Sequence, residues 1–474
     1  MSLGLGLGGA FAASDTDWEQ LSRNLKTTVV NIELARPIGL SEDRAQFDSG
    51  TGFVVDAQLG LVATVQHVTG ESPLRRVDLV FSNGEKVVGD LYYYDPWHDF
   101  SFIKYDPKQL KFTPKTAEFG SHADLKEGEE VGLIGNASGQ GFSFKTGRVN
   151  RLFVVKVFNN LWRHSHQIHL SLARAGGASG SPVFNRSGKV IALHTGGREN
   201  ESFELRIDYV ARALRYLQVE KTPPRGDLSL SLYTAPIRKA LEYLMYDPVI
   251  LDQTKKVQPS FQEVLLVGAS VPGSVADEKL KQGDIVVGIQ GKNQSSMKYI
   301  GEDIYEFDRI VDENINGKVQ VTVSRDKRLQ TFDLPVLDAE QGKLKRFATF
   351  AGSVFHEVSP IIALHYGVRP TGIYISESDP GTSFSLGDPV RDTAKKRRMV
   401  LTKLGTKKVD TLDDFIRAVS TMKKNDSFTV WGLNLLEIDR RDNFYYIDVD
   451  PTFDPLKLFE WNPKTLAWKE RNSN

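Results

Sequence analysis

Apolar positions along this chain fall mostly into two patterns, strict alternation with polar residues and short solid blocks bounded by glycine or proline, and both predict strands. Residues 27–34 form the first block, preceded by helical spacing over 15–25 that puts Trp18 and Leu21 on one face. Residues 50–56 and 60–69 are two apolar runs about a polar connection, a hairpin that delivers His67 to a strand end. From His98 to Lys104, Phe100 and Phe102 alternate with Asp99 and Ser101, so Asp99 begins a strand and His98 points away from it. Residues 131–149 read as two strands around a glycine-rich loop. That loop lacks the Gly-Lys-Ser/Thr ending and the following helix of a phosphate cradle, which argues against a nucleotide site. Further strands and turns follow at 189–197, 280–291, 372–376 and 400–411, with helical spacing over 412–422.

The length of 474 residues predicts about three domains, and Pro223-Pro224 supplies a stiff linker after the first. Sixty basic residues balance sixty acidic ones, so no global field points to nucleic acid or an anionic membrane. Cysteine is absent, which rules out disulfides, thiolate metal sites and a cysteine nucleophile. No apolar run approaches the roughly 18 residues of a membrane-crossing helix. The first thirteen residues end near Ala10-Phe11-Ala12, a small-x-small pattern like an export cleavage site, without the basic head of a signal. A trimmed signal, a misplaced start and a cloning scar all fit. Export, periplasmic or equivalent, is the location expected, with nucleus or cytoplasm as the alternative. The one dense basic run, 391–398, is either a nuclear-import signal or a solvated hairpin tip.

Candidate chemistry centres on Ser179, set in the run Gly177-Ala178-Ser179-Gly180-Ser181-Pro182. A serine hydroxyl needs a neighbouring base to become a nucleophile, and backbone N–H groups to hold the oxyanion its attack creates. With Gly177 two positions ahead, the N–H groups of Gly177 and Ser179 can converge on one point. His67 and Asp99 precede it, each at a turn or strand end, giving the order His, Asp, Ser within one domain-sized stretch. His164, His166 and His169 form a second cluster. On a strand the first two share a face and the third does not, so metal ligation would need a bend, and the competing reading is surface histidines.

Gly50-Thr51-Gly52, the strand into His67, His98-Asp99-Phe100, Gly135-Asn136 and the Ser179 loop together resemble the HtrA/Deg serine endopeptidases. Asp95-Pro96-Trp97-His98-Asp99 and the Ser-Gly-Ser-Pro ending are most similar to the divergent branch that includes fungal nuclear proteins, in which protease and PDZ units are duplicated in a longer chain. The resemblance implies a mainly β chain: a trypsin-like serine protease domain with a chymotrypsin-like double β-barrel over 14–220, then PDZ-like α+β domains over 221–340 and 341–474. It implies His67, Asp99 and Ser179 as catalytic residues, Gly177 and Ser179 as the oxyanion hole, and His194, Thr195 and Gly196 as the strand beside the substrate. Peptide carboxylate loops are expected at Arg225, Gly226, Asp227 and Leu228, and at Phe350, Ala351, Gly352 and Ser353, because a PDZ domain adds an extended peptide to a sheet edge and holds its terminus on loop N–H groups. The function implied is ATP-independent cleavage of unfolded or damaged proteins by a homo-oligomer, as a trimer or multiple, with no cofactor, metal or nucleic acid. The alternative is a non-proteolytic holdase or scaffold. The tail 445–468 is expected to pack on the last domain, and protonation of His67 to remove activity near its ordinary pKa of about 6.5.

Overall fold

The computed structural model describes all residues except 1–12, 75, 138, 157–163, 174–175, 260, 380, 386–398, 424–425, 436–441, 451–453 and 472–474. Helix α1 (Ala13–Leu25) leads in, its Trp18 buried against Phe144 at 5.4 Å between ring centroids. Six strands then close a first barrel: β1 (Val29–Arg36), β2 (Gln46–Asp56), β3 (Leu61–Thr64), β4 (Arg76–Phe81), β5 (Lys86–Tyr94) and β6 (Ser101–Tyr105), in the order β1-β2-β3-β6-β5-β4. The hairpin expected from sequence is β2–β3, with Phe53 opposite Ala63. A one-turn helix α2 (Gln66–Thr69) follows β3.

The second barrel comprises β7 (Glu130–Ala137), β8 (Gln140–Lys156), β9 (Ser165–Leu170), β10 (Pro182–Phe184), β11 (Val190–Arg198) and β12 (Glu201–Arg206), in the order β10-β11-β12-β9-β8-β7. The glycine-rich segment is the β7–β8 hairpin, Ile134 facing Phe144. Helix α3 (Ile207–Leu217) buries Ile207, Val210 and Leu214 against Leu193 and Leu205, in a core continuous with the first barrel. The two barrels therefore share apolar packing along the seam that will hold the site.

Two open sheets complete the chain. The short strand β13 (Gly226–Asp227) precedes β14 (Leu230–Pro236), helices α4 (Ile237–Tyr243) and α5 (Pro248–Val257), β15 (Glu263–Ser270), α6 (Val275–Lys279), β16 (Ile285–Gln290), β17 (Lys298–Tyr299), α7 (Ile304–Asp312), β18 (Lys318–Arg325), β19 (Arg328–Pro335) and β20 (Leu337–Asp338). Their main sheet runs β14-β15-β16-β18-β19, with β17 on β16 and β13 paired to β20. The last sheet begins with β21 (Arg346–Phe350), β22 (Ser353–Glu357), α8 (Pro360–Tyr366) and β23 (Ile373–Ser378). It continues through β24 (Met399–Leu404), β25 (Lys407–Lys408), α9 (Leu412–Val419), β26 (Asp426–Asn434), β27 (Asp442–Val449), β28 (Lys457–Asn462) and β29 (Ala467–Arg471). Its order is β27-β26-β24-β23-β22-β21-β28-β29, so the tail joins this sheet as expected, Trp468 packing on Phe347. The β1–β2 loop reaches this sheet: Leu40 sits among Phe347 and Val354, the Gly39 N–H donates to Glu377 at 2.7 Å, and the Ser41 N–H to His356 Nε2 at 3.0 Å.

Four expectations change. His67 lies in α2 rather than at a strand end. Asp99 lies two residues before β6, because the Asp95 carboxylate accepts the N–H groups of Trp97 and His98 (2.9 and 2.7 Å) and folds 95–99 into a tight turn. His164 and His166 are buried rather than on the surface, bonded to Asp308 and to the Leu152 carbonyl. The carboxylate loops are treated with the site below. The basic run 391–398 lies outside the described residues, and among those residues no group of three metal-ligating side chains occurs.

Phe355 is fully buried between Phe384 and Phe415 in the last sheet. Its replacement by Ala should destabilise that sheet by about 3–5 kcal/mol, seen as faster amide exchange across β21–β24 while barrel amides keep their protection.

Candidate active site

Ser179 sits half-buried in the turn that enters β10, and the turn is held from three directions. From the first barrel, the Thr51 N–H donates to the Ser179 carbonyl (2.8 Å) and the Thr51 hydroxyl to the Gly177 carbonyl (2.9 Å). From the β7–β8 hairpin, the Asn136 N–H donates to that same hydroxyl at 2.8 Å. From β11, the His194 carbonyl accepts the Gly180 N–H at 2.8 Å and the His194 N–H donates to Ser181 at 2.9 Å. Gly177 and Gly180 have φ of +83° and +88°, and a Cβ on Gly180 would lie 2.0 Å from the Thr51 carbonyl, so the turn tolerates no side chain there. Among the described residues no protein acceptor takes the N–H of Gly177 or of Ser179, which leaves both donors available to an oxyanion.

His67 and Asp99 are brought together. The Asp99 Oδ2 accepts from His67 Nδ1 at 2.8 Å, and Oδ1 accepts the His67 backbone N–H at 2.9 Å. A carboxylate on Nδ1 fixes the neutral tautomer with its proton there, so Nε2 carries the basic lone pair. Asp99 is 2% exposed and the His67 side chain 25%, which keeps the pair dry on one side and open on the other. Thr69 and Ser101 lock α2 onto β6 through a 3.0 Å hydroxyl bond. A Cβ on Gly50 would press on Val68 at 2.8 Å and lie 3.2 Å from the Ser179 carbonyl. The helix that carries His67 and the turn that carries Ser179 therefore meet across a glycine.

Burial works against the His67 imidazolium, but the Asp99 charge and hydrogen bond, with the Asp48 carboxylate, outweigh burial and the Arg36 charge, so its pKa is raised above the ordinary 6.5. A cavity of about 790 Å³ opens beside His67, lined by Asp48, Glu71 and Arg36 from the first barrel and by Asp338 and Lys343 from beyond it. Glu71 in its wall is pushed up to about 7 by burial and by Asp43.

The expected substrate strand is part of β11. His194 is anchored by the buried Glu204, whose carboxylate oxygens lie 2.9 and 3.1 Å from Nδ1, and the Thr195 hydroxyl donates to the Phe203 carbonyl at 2.8 Å; Gly196 follows at a bulge. The sequence did not single out Glu204, and it gave no role to Asp95 or the Thr51 hydroxyl. Thr51 had a signal, since it lies between two glycines where a strand must pass close to another backbone.

The two carboxylate loops do not stand open. Arg225, Gly226, Asp227 and Leu228 are all buried: the guanidinium spans Asp95 and Asp312 at 2.7 Å each, the Gly226 N–H goes to Asp312 at 2.8 Å, and Asp227 accepts from Ser229. Phe350, Ala351, Gly352 and Ser353 form the tight β21–β22 turn, whose two central residues have φ of 49° and 75°. The Ala351 N–H donates to the Asp454 carbonyl (2.8 Å) and the Gly352 N–H to the Asp454 carboxylate (3.2 Å). Both loops spend donors within the chain, Gly226 on Asp312 and Ala351 and Gly352 on Asp454, and β22 is paired on both edges, by β21 and β23.

This architecture, two barrels meeting at a His–Asp pair and a glycine-framed serine, followed by sheets with short helices, matches a trypsin-like peptidase domain joined to a PDZ-like domain. The trypsin-like peptidase domain family matches residues 50–193, which contain His67, Asp99 and Ser179, and the PDZ-like domain family matches 343–425. Two curated relatives are fungal serine proteases. The pro-apoptotic serine protease NMA111 of Eremothecium gossypii is 27% identical over 470 residues (97% of this chain, 46% of its own length), and that of Pyricularia oryzae 29% over 468 (95% and 43%). The chain thus spans about half the length of the curated relatives it matches. Among solved structures, the HtrA-type protease AlgW with tripeptide aligns at a TM-score of 0.49 and 17% identity, over 68% of this chain and 96% of that one.

For a reaction in which His67 is the base and must be neutral, its raised pKa puts the acid limb of a pH–rate profile above pH 6.5 rather than at it. Asp99→Asn removes the charge and leaves the burial, so the midpoint should fall below that of the unsubstituted chain while kcat drops by about 10⁴-fold; both are read from initial rates between pH 5 and 9.

Proposed function

We propose that this chain is a serine endopeptidase that hydrolyses unfolded or damaged polypeptides without ATP. The observation that carries the reading is the Asp99–His67–Ser179 arrangement: a 2.8 Å carboxylate–imidazole pair on one barrel and, across the Gly50 seam, a serine turn with two N–H donors that no acceptor among the described residues takes. In this mechanism the Ser179 Oγ attacks the scissile carbonyl as His67 Nε2 takes its proton. Asp99 holds the imidazole and stabilises its charged form, and the N–H groups of Gly177 and Ser179 bind the oxyanion. His67 then protonates the leaving amine, and water hydrolyses the acyl-enzyme by the same steps in reverse.

Residues 14–220 form the protease domain in this reading, and 221–340 and 341–474 the PDZ-like units. The His194–Gly196 segment receives the substrate backbone. Assembly as a trimer, as the HtrA resemblance implies, completes the proposal. The relatives are fungal proteins, which supports nucleus or cytoplasm over a periplasm, and no described helix is long and apolar enough to cross a membrane. A purely scaffolding role is not favoured: the His67–Asp99 pair is intact, and Gly226, Ala351 and Gly352 of the expected carboxylate loops donate within the chain.

Fluorophosphonate labelling with peptide mapping, run beside casein degradation, tests the reading. Label should map to Ser179 and casein cleavage should vanish in Ser179→Ala. An unsubstituted chain that neither labels nor degrades unfolded casein overturns the proposal.

A further inference from the structure

The turn that presents Asp99 is gripped by residues outside the barrels. Asp95 opens that turn and is 2% exposed; its Oδ1 is used within the turn, and its Oδ2 accepts Nη2 and Nε of Arg225 at 2.7 and 3.1 Å. Arg225 is held in turn by Asp312 at the end of α7, which also accepts from Arg212 of α3 at 2.7 Å. His98, next to Asp99, is fully buried with Nε2 3.3 Å from the Asp308 carboxylate, one turn earlier on α7.

Asp308 gathers three groups of the protease barrels: His98, the Tyr209 hydroxyl at 2.8 Å and His164 Nε2 at 3.1 Å. The Leu232 N–H of β14 donates to His164 Nδ1 at 2.9 Å, which makes Nε2 the protonated nitrogen that donates to Asp308. His164 therefore bridges β14 and α7, the strand edge and helix between which a PDZ domain would admit a peptide. The space is filled by the protease part of the same chain.

We propose that Arg225 and Asp308 are positioning residues for the reaction: through Asp95 and His98 they hold the 95–99 turn so that the Asp99 carboxylate meets His67, and the first PDZ-like sheet is a fixed clamp on the catalytic aspartate rather than a peptide receptor. The inference rests on the endopeptidase reading for its effect on rate, but the geometry it asserts can be measured without turnover. Arg225 and Arg212 oppose Asp95 and Asp312, with His98, Lys343 and Glu340 also facing Asp95, so neither carboxylate can move without exposing an unpaired buried charge. Burial disfavours charge on Asp95, yet the Arg225 charge and His98 hold its carboxyl well below the usual range, which keeps the clamp engaged at neutral pH.

The test uses the full chain with Arg225→Gln, Asp308→Asn and the milder Arg225→Lys, which keeps the charge and loses the forked contact. Arg238→Ala, at an exposed pair on α4, is the control. The primary readout is the pH titration of the His67 ring by NMR, assigned with His67→Gln. Asp48 and Arg36, the other charges acting on that ring, are unaltered in every variant. In Arg225→Gln and Asp308→Asn the His67 midpoint should fall by about one pH unit as Asp99 moves away, with a smaller fall in Arg225→Lys and none in Arg238→Ala. In parallel, kcat on a short peptide amide should fall roughly 10–100-fold with KM within about twofold. Folded Arg225→Lys and Asp308→Asn proteins whose His67 midpoint matches that of the unsubstituted chain overturn the clamp. Absence of cleavage by the unsubstituted chain overturns the endopeptidase reading alone, because the titration still reports whether Asp99 is held.

Discussion

One threonine ties the two barrels together at the point where the serine is displayed. Thr51 is fully buried; its N–H and hydroxyl donate to the carbonyls on either side of Ala178, its hydroxyl accepts from Asn136, and its own carbonyl accepts the Thr64 hydroxyl at 2.7 Å. Every polar group of that residue is spent on the turn or on the strand beneath it. A buried donor left unpaired costs about 1–3 kcal/mol, so displacement of the turn from β2 breaks several bonds at once. The shape of the site is therefore a property of the seam between barrels, and the shared apolar core with α3 keeps that seam closed.

The same logic at larger scale joins the protease to the first open sheet. Arg225, Asp95, Asp312 and Asp308 are removed from water, and such groups persist only when paired with good geometry. Loss of one partner would leave a bare buried charge, at a cost of about 3–5 kcal/mol. That cost makes the interface an all-or-none contact rather than a sliding one, unlike the polar, loosely held interfaces common between domains.

What the sequence revealed and what it hid divide by range. The pairing of His67 with Asp99 was legible because the chemistry demands those residue types near a glycine-framed serine. The strands were legible because alternation is local, whereas the double barrel rested on the resemblance to the HtrA/Deg endopeptidases. The strand placed at Asp99 was wrong for a local reason of its own, since the Asp95 side chain competes for the N–H groups that a strand would have used. The carboxylate loops were wrong for a distant one. Arg225 meets a carboxylate 130 positions away and Gly352 one 102 positions away, and nothing in a loop's own residues announces that its donors are already taken. His164 and His166 were misjudged likewise, because a polar strand residue looks the same whether it faces water or a buried aspartate.

The β1–β2 loop adds an ordering in time. Gly39 finds its acceptor 338 positions later in the chain, and Ser41 its own 315 positions later. At synthesis rates of about 5–20 residues per second, that loop waits roughly 17–70 s after its own synthesis for Glu377 to be made. The wall of the cavity beside His67 is thus completed well after Ser179 has been made. A nascent chain would carry its serine turn before the entrance to the neighbouring cleft is built, so the open sheets act in effect as a delay between making His67, Asp99 and Ser179 and finishing the cavity beside them.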